Sequence, residues 1–344
     1  MIHDARVLLL LAFLVPASGC EGDDCEAHDR PAVPSFDPAT VLPLYDASVN
    51  PFDQAIGANP TYHPDSDLLA TSLQEQFDDR GMVVSVGEWT VPVYVADSSS
   101  PRVDVGLSAP WAPYSTLLDA PMPAWVQQDP SSDGSMAVID VDAGLEYDFF
   151  GFCGGPDGAQ ASWANLLSRD GAGVFARGLS ARGSGFALLN GLIWPHELEA
   201  GRIEHALLFT FDLTRAGGPV APATESDGTG VGGNNLPEGA RVQLDPALDI
   251  DALGLRPWEA TIARAMQEFG MILGDDGGGL ELEAISPLSF PEGASVYDGL
   301  LDIDEGFAVF SDSFPVSSFR VLAYGAQNPD FGDTSDVEFP DRFE

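Results

Sequence analysis

Apolar and polar residues alternate along much of the chain, and this period of two predicts strands. Residues 82–95 and 136–150 are the clearest cases, because both are rich in valine and aromatic residues. Pro92 places the first at a sheet edge or a bulge, since proline lacks the amide that a central strand needs. Further strands are predicted at residues 161–166, 203–212, 240–245, 271–274, 280–285, 307–311 and 319–324.

Residues 136–150 predict a hairpin in particular. Residues 142–144 end in a glycine, which permits the positive φ of a tight turn. In the second arm, Glu146 and Asp148 share one face, while Tyr147 and Phe149 share the other.

Two segments have the spacing of helices instead. Residues 66–77 begin with a serine and carry apolar residues three to four positions apart. Residues 257–269 begin with Pro257, keep an apolar stripe through Trp258, Ile262 and Met266, and precede Gly270. Both stripes predict packing against a sheet.

These elements predict a mainly β fold, a β-sandwich or jelly roll with one or two short helices and long loops. The chain has 344 residues and 44 % hydrophobic content, which is enough for a substantial core. We expect one sandwich domain at residues 41–325 and an acidic C-terminal tail at residues 326–344. The sequence contains no P-loop, nucleophile elbow or zinc-type cysteine pair.

The N-terminus predicts export. Residues 1–19 resemble a lipoprotein signal peptide, because Arg6 precedes an apolar run too short to cross a bilayer and small residues follow it. Cys20 is the expected lipidation site, although Ala17 stands where leucine is usual in a lipobox. Residues 20–40 then form an acidic tether. The expected location is the cell envelope, lipid-anchored at the outer membrane or cell surface, and the alternative is plain cleavage and secretion.

The other two cysteines suit an oxidising compartment. Cys25 and Cys153 remain as an even pair once Cys20 carries lipid, so a disulfide between them is chemically reasonable. The alternative is a free buried Cys153 and an exposed Cys25, since the sequence does not bring the two within reach.

Charge excludes one class of partner. The chain has 54 acidic residues against 14 basic ones, all of them arginine, and a formal net charge of −40. Such a field repels nucleic acid and anionic membrane surfaces. We therefore exclude nucleic acid as a partner and expect membrane contact only through the lipid anchor.

Several stretches occur in a characteristic order: "GLSARGSGFALLNGLI" with "GRIEHALLF", then "PATESDG", "LPEGARVQLDP" and "IARAMQEFGMILGDDGG". They resemble a family of secreted bacterial β-rich proteins of largely unassigned activity, over roughly residues 42–322. The resemblance implies a secreted β-rich fold but no catalytic residue. Such proteins tend to carry a histidine where this chain has Ser135. Extracellular β-sandwiches of this style often look carbohydrate-active or carbohydrate-binding, which is an analogy at the level of fold.

Carboxylates are the first candidates for chemistry, because glycoside hydrolysis uses two carboxyl groups across the scissile bond. Glu225 and Asp227 of "PATESDG" are preferred, since they follow a strand in a polar, glycine-bearing loop. The alternative for each acid is a solvated surface group. The other candidates are Asp133, Asp140, Asp275 and Asp276.

Aromatic and basic residues are candidates for binding the sugar. Trp163 could stack against a sugar ring, as could Trp194, and the alternative for both is a place in the core. Arg177 and Arg182 could bind a uronate or a sulfate, and the alternative is pairing with internal acids. No cofactor is predicted, although the aspartate-rich residues 245–251 and 302–305 could hold a structural calcium ion.

The stretch "PHELEAGRIEHALLF" contains two histidines and three glutamates. Pro195 predicts a short helix that Gly201 ends, so His196 and His205 cannot share a helical face at metal-binding spacing. The alternation that follows turns His205 toward the core, where a hydrogen-bonded structural histidine is expected. If that face lines a groove instead, His205 is a candidate general base.

The sequence therefore predicts a cell-surface lipoprotein that acts on or binds extracellular carbohydrate, as a glycoside hydrolase or polysaccharide lyase. The alternative is a non-catalytic glycan-binding or structural surface lipoprotein, because no recognisable triad or metal motif is present. An enzyme should have a concave site with aromatic residues and at least two convergent ionisable groups.

Overall fold

The structure is a computed structural model that describes residues 31–328. This part of the chain is mainly β, as the alternation predicts, with three α-helices. The strands are β1 Met82–Ser85, β2 Val93–Ala96, β3 Arg102–Leu107, β4 Thr116–Pro121, β5 Met136–Asp140, β6 Leu145–Phe150, β7 Gln160–Ala161, β8 Trp163–Ser168, β9 Leu207–Phe211, β10 Arg241–Leu244, β11 Met271–Asp276, β12 Leu280–Glu283, β13 Ile303–Asp304, β14 Phe307–Val309 and β15 Phe319–Val321. The helices are α1 Ser66–Arg80, α2 Pro195–Ala200 and α3 Pro257–Glu268. Short 3-10 helices occur at Pro38–Thr40, Ile250–Leu253, Pro287–Ser289, Gly293–Tyr297 and Val316–Ser318.

The strands form three sheets. The largest has eight strands in the order β13-β14-β1-β12-β9-β11-β10-β15, and the others have the orders β2-β5-β6-β8 and β4-β3-β7. The two smaller sheets share one core, which includes Tyr94 of β2, Leu117 of β4 and Tyr147 of β6. They therefore pack face to face in a sandwich-like arrangement.

Both faces of the eight-stranded sheet are covered. On one face, Leu73 of α1 and Met266 of α3 belong to the same core as Phe209 of β9. On the other, Leu208 of β9 and the neighbouring Ile272 pack with three phenylalanines that lie outside the helices and strands. β9 and β11 are parallel neighbours, so their carboxyl ends finish at the same edge of the sheet.

The helices and the hairpin agree with prediction. α1 ends at Gly81, which has a φ of 81°, and α3 begins with Pro257 and a capping box in which the Glu259 carboxylate accepts from the Arg256 amide at 2.8 Å. β5 and β6 pair antiparallel around a turn in which Gly144 has a φ of 65°. The short helix at Pro195 ends at Gly201, also as predicted.

Residues 82–95 form two strands, and β2, which follows Pro92, lies at the edge of its sheet. β1 belongs to the eight-stranded sheet and β2 to the four-stranded sheet. Between them Trp89 adopts a φ of 57°. The Trp89 amide donates a hydrogen bond to the Asp129 carboxylate at 3.1 Å. β3 and β4 were not predicted, because glycine, proline and aspartate break their apolar pattern.

The segments at the two ends of the chain, which carry the predictions of export and of an acidic tail, are described only in part. The predicted signal peptide, Cys20, Cys25 and residues 329–344 lie outside the described residues. Within the predicted tether, Val33 is buried and the ring of Phe36 stacks on Phe290 with 5.8 Å between centroids. No helix in residues 31–328 is long and apolar enough to span a membrane.

Candidate functional site

Five acids from separate segments meet at the carboxyl end of β11, and we call them the acidic cluster. Asp275 and Asp276 end β11, Asp227 lies in the loop after β9, Glu238 precedes β10, and Asp133 precedes β5. One oxygen each of Asp227, Glu238 and Asp275 lies within 4.8 Å of the other two. Asp133 and Asp276 both interact electrostatically with Asp227. The cluster therefore joins residues more than one hundred positions apart.

Local backbone features bring these acids together. The register of β9 and β11 shifts between Leu273 and Asp275, and this bulge redirects the end of β11. The Gly239 amide donates to the Leu273 carbonyl at 2.8 Å, which fixes Glu238 beside the same strand. A Cβ on Gly183 would lie 2.7 Å from the Asp227 carboxylate, so only glycine permits this close approach.

A buried ion pair forms the base of the cluster. The Arg182 guanidinium donates to both carboxylate oxygens of Glu283, each at 2.8 Å. Its Nη1 also lies 3.6 Å from Asp275. The side chains of Arg182 and Glu283 are only 3 % and 7 % exposed, so this pair is desolvated and bidentate.

Burial and mutual repulsion favour the neutral forms of these acids. Burial, then the charge of Asp227, raises the pKa of Glu238 and of Asp275 well above the usual range. Burial of the carboxyl group raises the pKa of Asp133 to about 6, although the residue as a whole is exposed, and burial raises that of Asp276 to about 7; neighbouring carboxylates add to both. Such clustering of raised carboxyl pKa values is characteristic of functional sites.

Asp227 combines exposure with a raised pKa. The residue as a whole is exposed, yet burial is the main cause that raises the pKa of its carboxyl group. The two observations agree if part of the residue faces solvent while the carboxylate itself packs on Gly183 and the cluster. Asp227 therefore connects the buried acids to the surface.

Glu238 is the least satisfied residue of the cluster. It is 0 % exposed, and neither of its carboxylate oxygens has a hydrogen-bond partner in bonding geometry. The Ser226 hydroxyl and the Asp227 carboxyl are near enough to influence its pKa but do not complete such a bond. Buried carboxylates without donors are rare because their desolvation is not compensated.

Of the predicted catalytic residues, Asp227 belongs to the acidic cluster, and Glu225 anchors the loop that carries Asp227. The Glu225 carboxylate accepts from the amides of Gly178 and Ser180, both at 3.0 Å. Burial raises its pKa to about 8. Glu225 thus ties the loop that carries Asp227 to the loop that carries Arg177 and Arg182.

Trp163 does not face solvent. It is 0 % exposed, and its indole N–H donates to the Leu179 carbonyl at 3.2 Å. Its ring contacts Trp111, at 5.6 Å between centroids, and Trp111 is 50 % exposed. Trp194 is buried as well. Trp163 and Trp194 therefore occupy core positions, whereas Trp111 exposes half of its surface.

The two predicted binding arginines have different environments. Arg182 is held by Glu283, so the alternative of internal pairing describes it. Arg177 is partly exposed, and its charge lowers the pKa of Glu225 against the effect of burial. Arg177 therefore lies near Glu225 and the loop of residues 222–228.

His205 lies apart from the acidic cluster, on a cavity of about 490 Å³. Its Nε2 is 3.0 Å from Glu197 and its Nδ1 is 2.8 Å from the Ala206 carbonyl. Burial opposes its charge, but Glu197, the Ala206 carbonyl and Asp53 raise its pKa to about 9. A histidine that is protonated at neutral pH and bonded at both nitrogens is poorly suited to act as a base. This geometry fits the structural alternative.

Other predicted residues are engaged elsewhere. Arg102 bonds Asp140. In the two aspartate-rich stretches, Arg320 bonds Asp245, Arg264 bonds Asp251 and Arg256 lies 3.4 Å from Asp302. Cys153 is in a disulfide. Its predicted partner, Cys25, lies outside the described residues, and the pairing stays a prediction.

Three residues of the site were not among the predicted functional residues. Glu238 sits in "LPEGARV", where one acid interrupts an apolar approach to a strand. Glu283 ends "LELE", where an alternating glutamate is typical of a solvent-facing position, yet it is buried. Trp111 lies in a proline-rich loop with no periodicity. Only the position of Glu238 gave a signal in the sequence, namely a charge beside buried residues.

Comparison of the chain with protein-family models, with curated proteins and with solved structures gives no match.

Proposed function

We propose that this protein acts on extracellular carbohydrate and cleaves a glycosidic bond at the acidic cluster. The observation that carries this proposal is the convergence of acids from four segments on one surface-connected site. Asp133 and Asp227 are exposed and Asp276 is partly exposed, whereas Glu238 and the Arg182–Glu283 pair lie beneath them. Chains this acidic have many surface carboxylates, but these carboxylates are held together by buried structure.

Cleavage of a glycosidic bond needs one carboxyl group to protonate the leaving oxygen and a second to attack the sugar or activate water. Asp275 is as partly exposed as Asp276 but lies against Arg182, so Asp133, Asp227 and Asp276 are the acids of the cluster that we expect a polymer to meet. They come from three different segments, and Asp133 and Asp276 each interact electrostatically with Asp227. We assign the two roles to members of this group.

Trp111 offers an aromatic platform. Trp111 is half exposed and packs on Trp163, whose indole bonds the Leu179 carbonyl. The amides on either side of Leu179, those of Gly178 and Ser180, hold Glu225, two residues from Asp227. A continuous set of contacts thus links Trp111 to the cluster. Apolar sugar faces stack on rings such as Trp111.

A second candidate function is glycan binding without turnover, and the exposure of Trp111 is the observation that favours it. A rigid, half-exposed indole suffices for binding and needs no proton donor. In this case the acidic cluster would be a structural element. Under either function, export and lipid attachment at Cys20 would place the protein at the cell envelope.

The test is incubation of the purified mature protein with a panel of neutral and uronate-containing polysaccharides. New reducing ends without unsaturated uronates identify hydrolysis, whereas both together identify a lyase. We expect D133N or D276N to lower the rate by at least about 100-fold, the usual contribution of a general acid or base. D249N is the matched control, because Asp249 is an exposed acid outside the cluster.

The same panel separates the two candidates. If W111A abolishes glycan binding while no polysaccharide yields a product, the protein is a binding protein and the proposed hydrolysis is wrong. If product forms and D133N, D227N and D276N all retain the full rate, cleavage occurs elsewhere and the acidic cluster is not the active site.

A further inference from the structure

We propose that Asp227, Glu238 and Asp275 bind one calcium ion. This inference goes beyond the proposed reaction and does not depend on it, because ion binding can be measured without any glycan. It concerns the base of the acidic cluster, and it leaves Asp133 and Asp276 available at the surface.

The spacing of the three carboxylate oxygens suits a single cation. One oxygen from each of the three carboxylates lies within 4.8 Å of the others. Calcium binds oxygen ligands at about 2.3–2.6 Å, so oxygens on opposite sides of the ion are up to about 5 Å apart. The three oxygens therefore lie within the span of one calcium coordination sphere, whose flexible geometry suits carboxylates from separate segments better than the strict octahedron that magnesium demands.

Glu238 provides a second observation, which does not depend on the clustering of the oxygens. Its side chain is fully buried, and both carboxylate oxygens are without hydrogen-bond donors. Other buried acids of this protein do have donors: Glu225 accepts two amides, and Glu283 accepts the fork of Arg182. A cation would supply what Glu238 lacks, since it compensates the desolvation of a carboxylate.

Arg182 does not balance the charge of the three carboxylates. Arg182 is the nearest cation to Asp275, but both of its terminal nitrogens bond Glu283 at 2.8 Å. That pair is neutral as a unit, and three carboxylates remain beside it. With all three ionised, as cation binding requires, a divalent cation reduces their net charge from −3 to −1 and offsets most of their mutual repulsion.

Solvent reaches the three carboxylates and can complete the coordination sphere of an ion. Asp227 is exposed and Asp275 is 30 % exposed at its side chain, so an ion and its water can enter from solvent. Calcium takes six to eight oxygens, and bidentate carboxylates with water complete that number. The ion would join the loop after β9, the residue before β10 and the end of β11.

The experiment is calorimetric titration of the full mature chain with Ca²⁺ after EDTA treatment. We expect one ion per chain with a Kd of about 10⁻⁴ M or tighter, within the range of extracellular calcium modules. E238Q should weaken binding at least tenfold. D227N, which changes an exposed residue, gives the same test if E238Q does not fold. D249N is the matched control and should bind Ca²⁺ as the wild type does.

Thermal unfolding distinguishes an ion site from a merely structural glutamate. In EDTA, E238Q should unfold at the same temperature as the wild type or higher, because it removes a buried carboxyl group whose oxygens have no hydrogen-bond donor. Added Ca²⁺ should raise the unfolding temperature of the wild type and not that of E238Q. The proposal is overturned if the wild type binds no Ca²⁺, if E238Q and D227N bind it normally, or if Mg²⁺ binds equally well.

Failure of this inference and failure of the proposed reaction are separable. Ca²⁺ binding without product from any polysaccharide would leave the ion site intact and overturn the hydrolase. Product formation that is unchanged in EDTA, together with no heat of Ca²⁺ binding, would overturn the ion site and leave the proposed reaction intact.

Discussion

Buried carboxylates in this protein differ in how their charge is compensated. Glu146 accepts from the Tyr45 hydroxyl at 2.5 Å and from the Leu189 amide at 3.4 Å. Asp148, on the same face of β6, accepts from the Leu188 amide at 2.9 Å. These acids hold a loop against the hairpin, as their shared face allows. Glu238 has no such partner, which distinguishes a structural acid from a candidate ligand.

His205 and Glu197 should make stability depend on pH. The folded-state pKa of His205 is raised to about 9, above the usual value near 6.5. A raised histidine pKa stabilises the fold fully below pH 6.5, and this contribution is lost as pH rises through about 9. By linkage it amounts to at most about 3 kcal/mol. We expect E197Q to lose most of the difference between unfolding temperatures at pH 6.5 and pH 10.

The matched control for this prediction is E199Q, because Glu199 is exposed on the same short helix. Other charged groups that line the cavity are Asp53, Arg202 and Glu204, and they are unchanged in both variants. If E197Q and E199Q lose stability with pH to the same extent as the wild type, the ion pair does not contribute.

At the scale of elements, β11 positions the site. Its first half packs in the core, its register against β9 shifts after Leu273, and its last two residues are Asp275 and Asp276. Gly274 lies at this shift, where a Cβ would be 2.5 Å from the Leu208 side chain. The bulge thus depends on a residue without a side chain.

G274A should therefore destabilise the protein by about 1–3 kcal/mol, the usual cost of overpacking a core. Leu208 is fully buried and cannot move aside. Urea unfolding measures the change. G57A is the control, because nothing lies within 4 Å of a Cβ at Gly57. A G274A variant as stable as G57A would mean that β11 accommodates the methyl group and that the bulge is not set by this glycine.

At the scale of the whole molecule, the net charge of −40 opposes folding by self-repulsion. The described arginines are largely used internally, as in the Arg182–Glu283 and Arg256–Glu259 pairs. The remaining acids are spread over the surface, where salt screens them.

Added NaCl should therefore raise the unfolding temperature. Between about 0.01 M and 0.1 M salt the screening length falls from about 30 Å to about 10 Å, so most of the gain should occur in this range. Differential scanning calorimetry tests it. CaCl₂ at the same ionic strength should give a larger rise in the wild type than in E238Q. A fall in unfolding temperature with NaCl would contradict a dominant role for surface repulsion.

Much of the fold was predictable because periodicity is a local property. The alternation over residues 136–150 predicts the hairpin and its two faces, and Pro257 with its apolar stripe predicts α3. The sequence did not predict that residues 82–95 divide between two sheets. That division depends on the contact of Trp89 with Asp129, forty residues further along the chain. Strand partners are non-local and leave little trace in a single segment.

The sequence by itself determined the mainly β architecture, the strongly acidic character and the candidacy of Asp227. Tertiary structure alone decided which acids lie together, that Glu225 and Arg182 are bonded internally, and that Glu238 is buried without a partner. The physical reason is that alternation is set by neighbours in the chain, whereas desolvation and repulsion are set by neighbours in space.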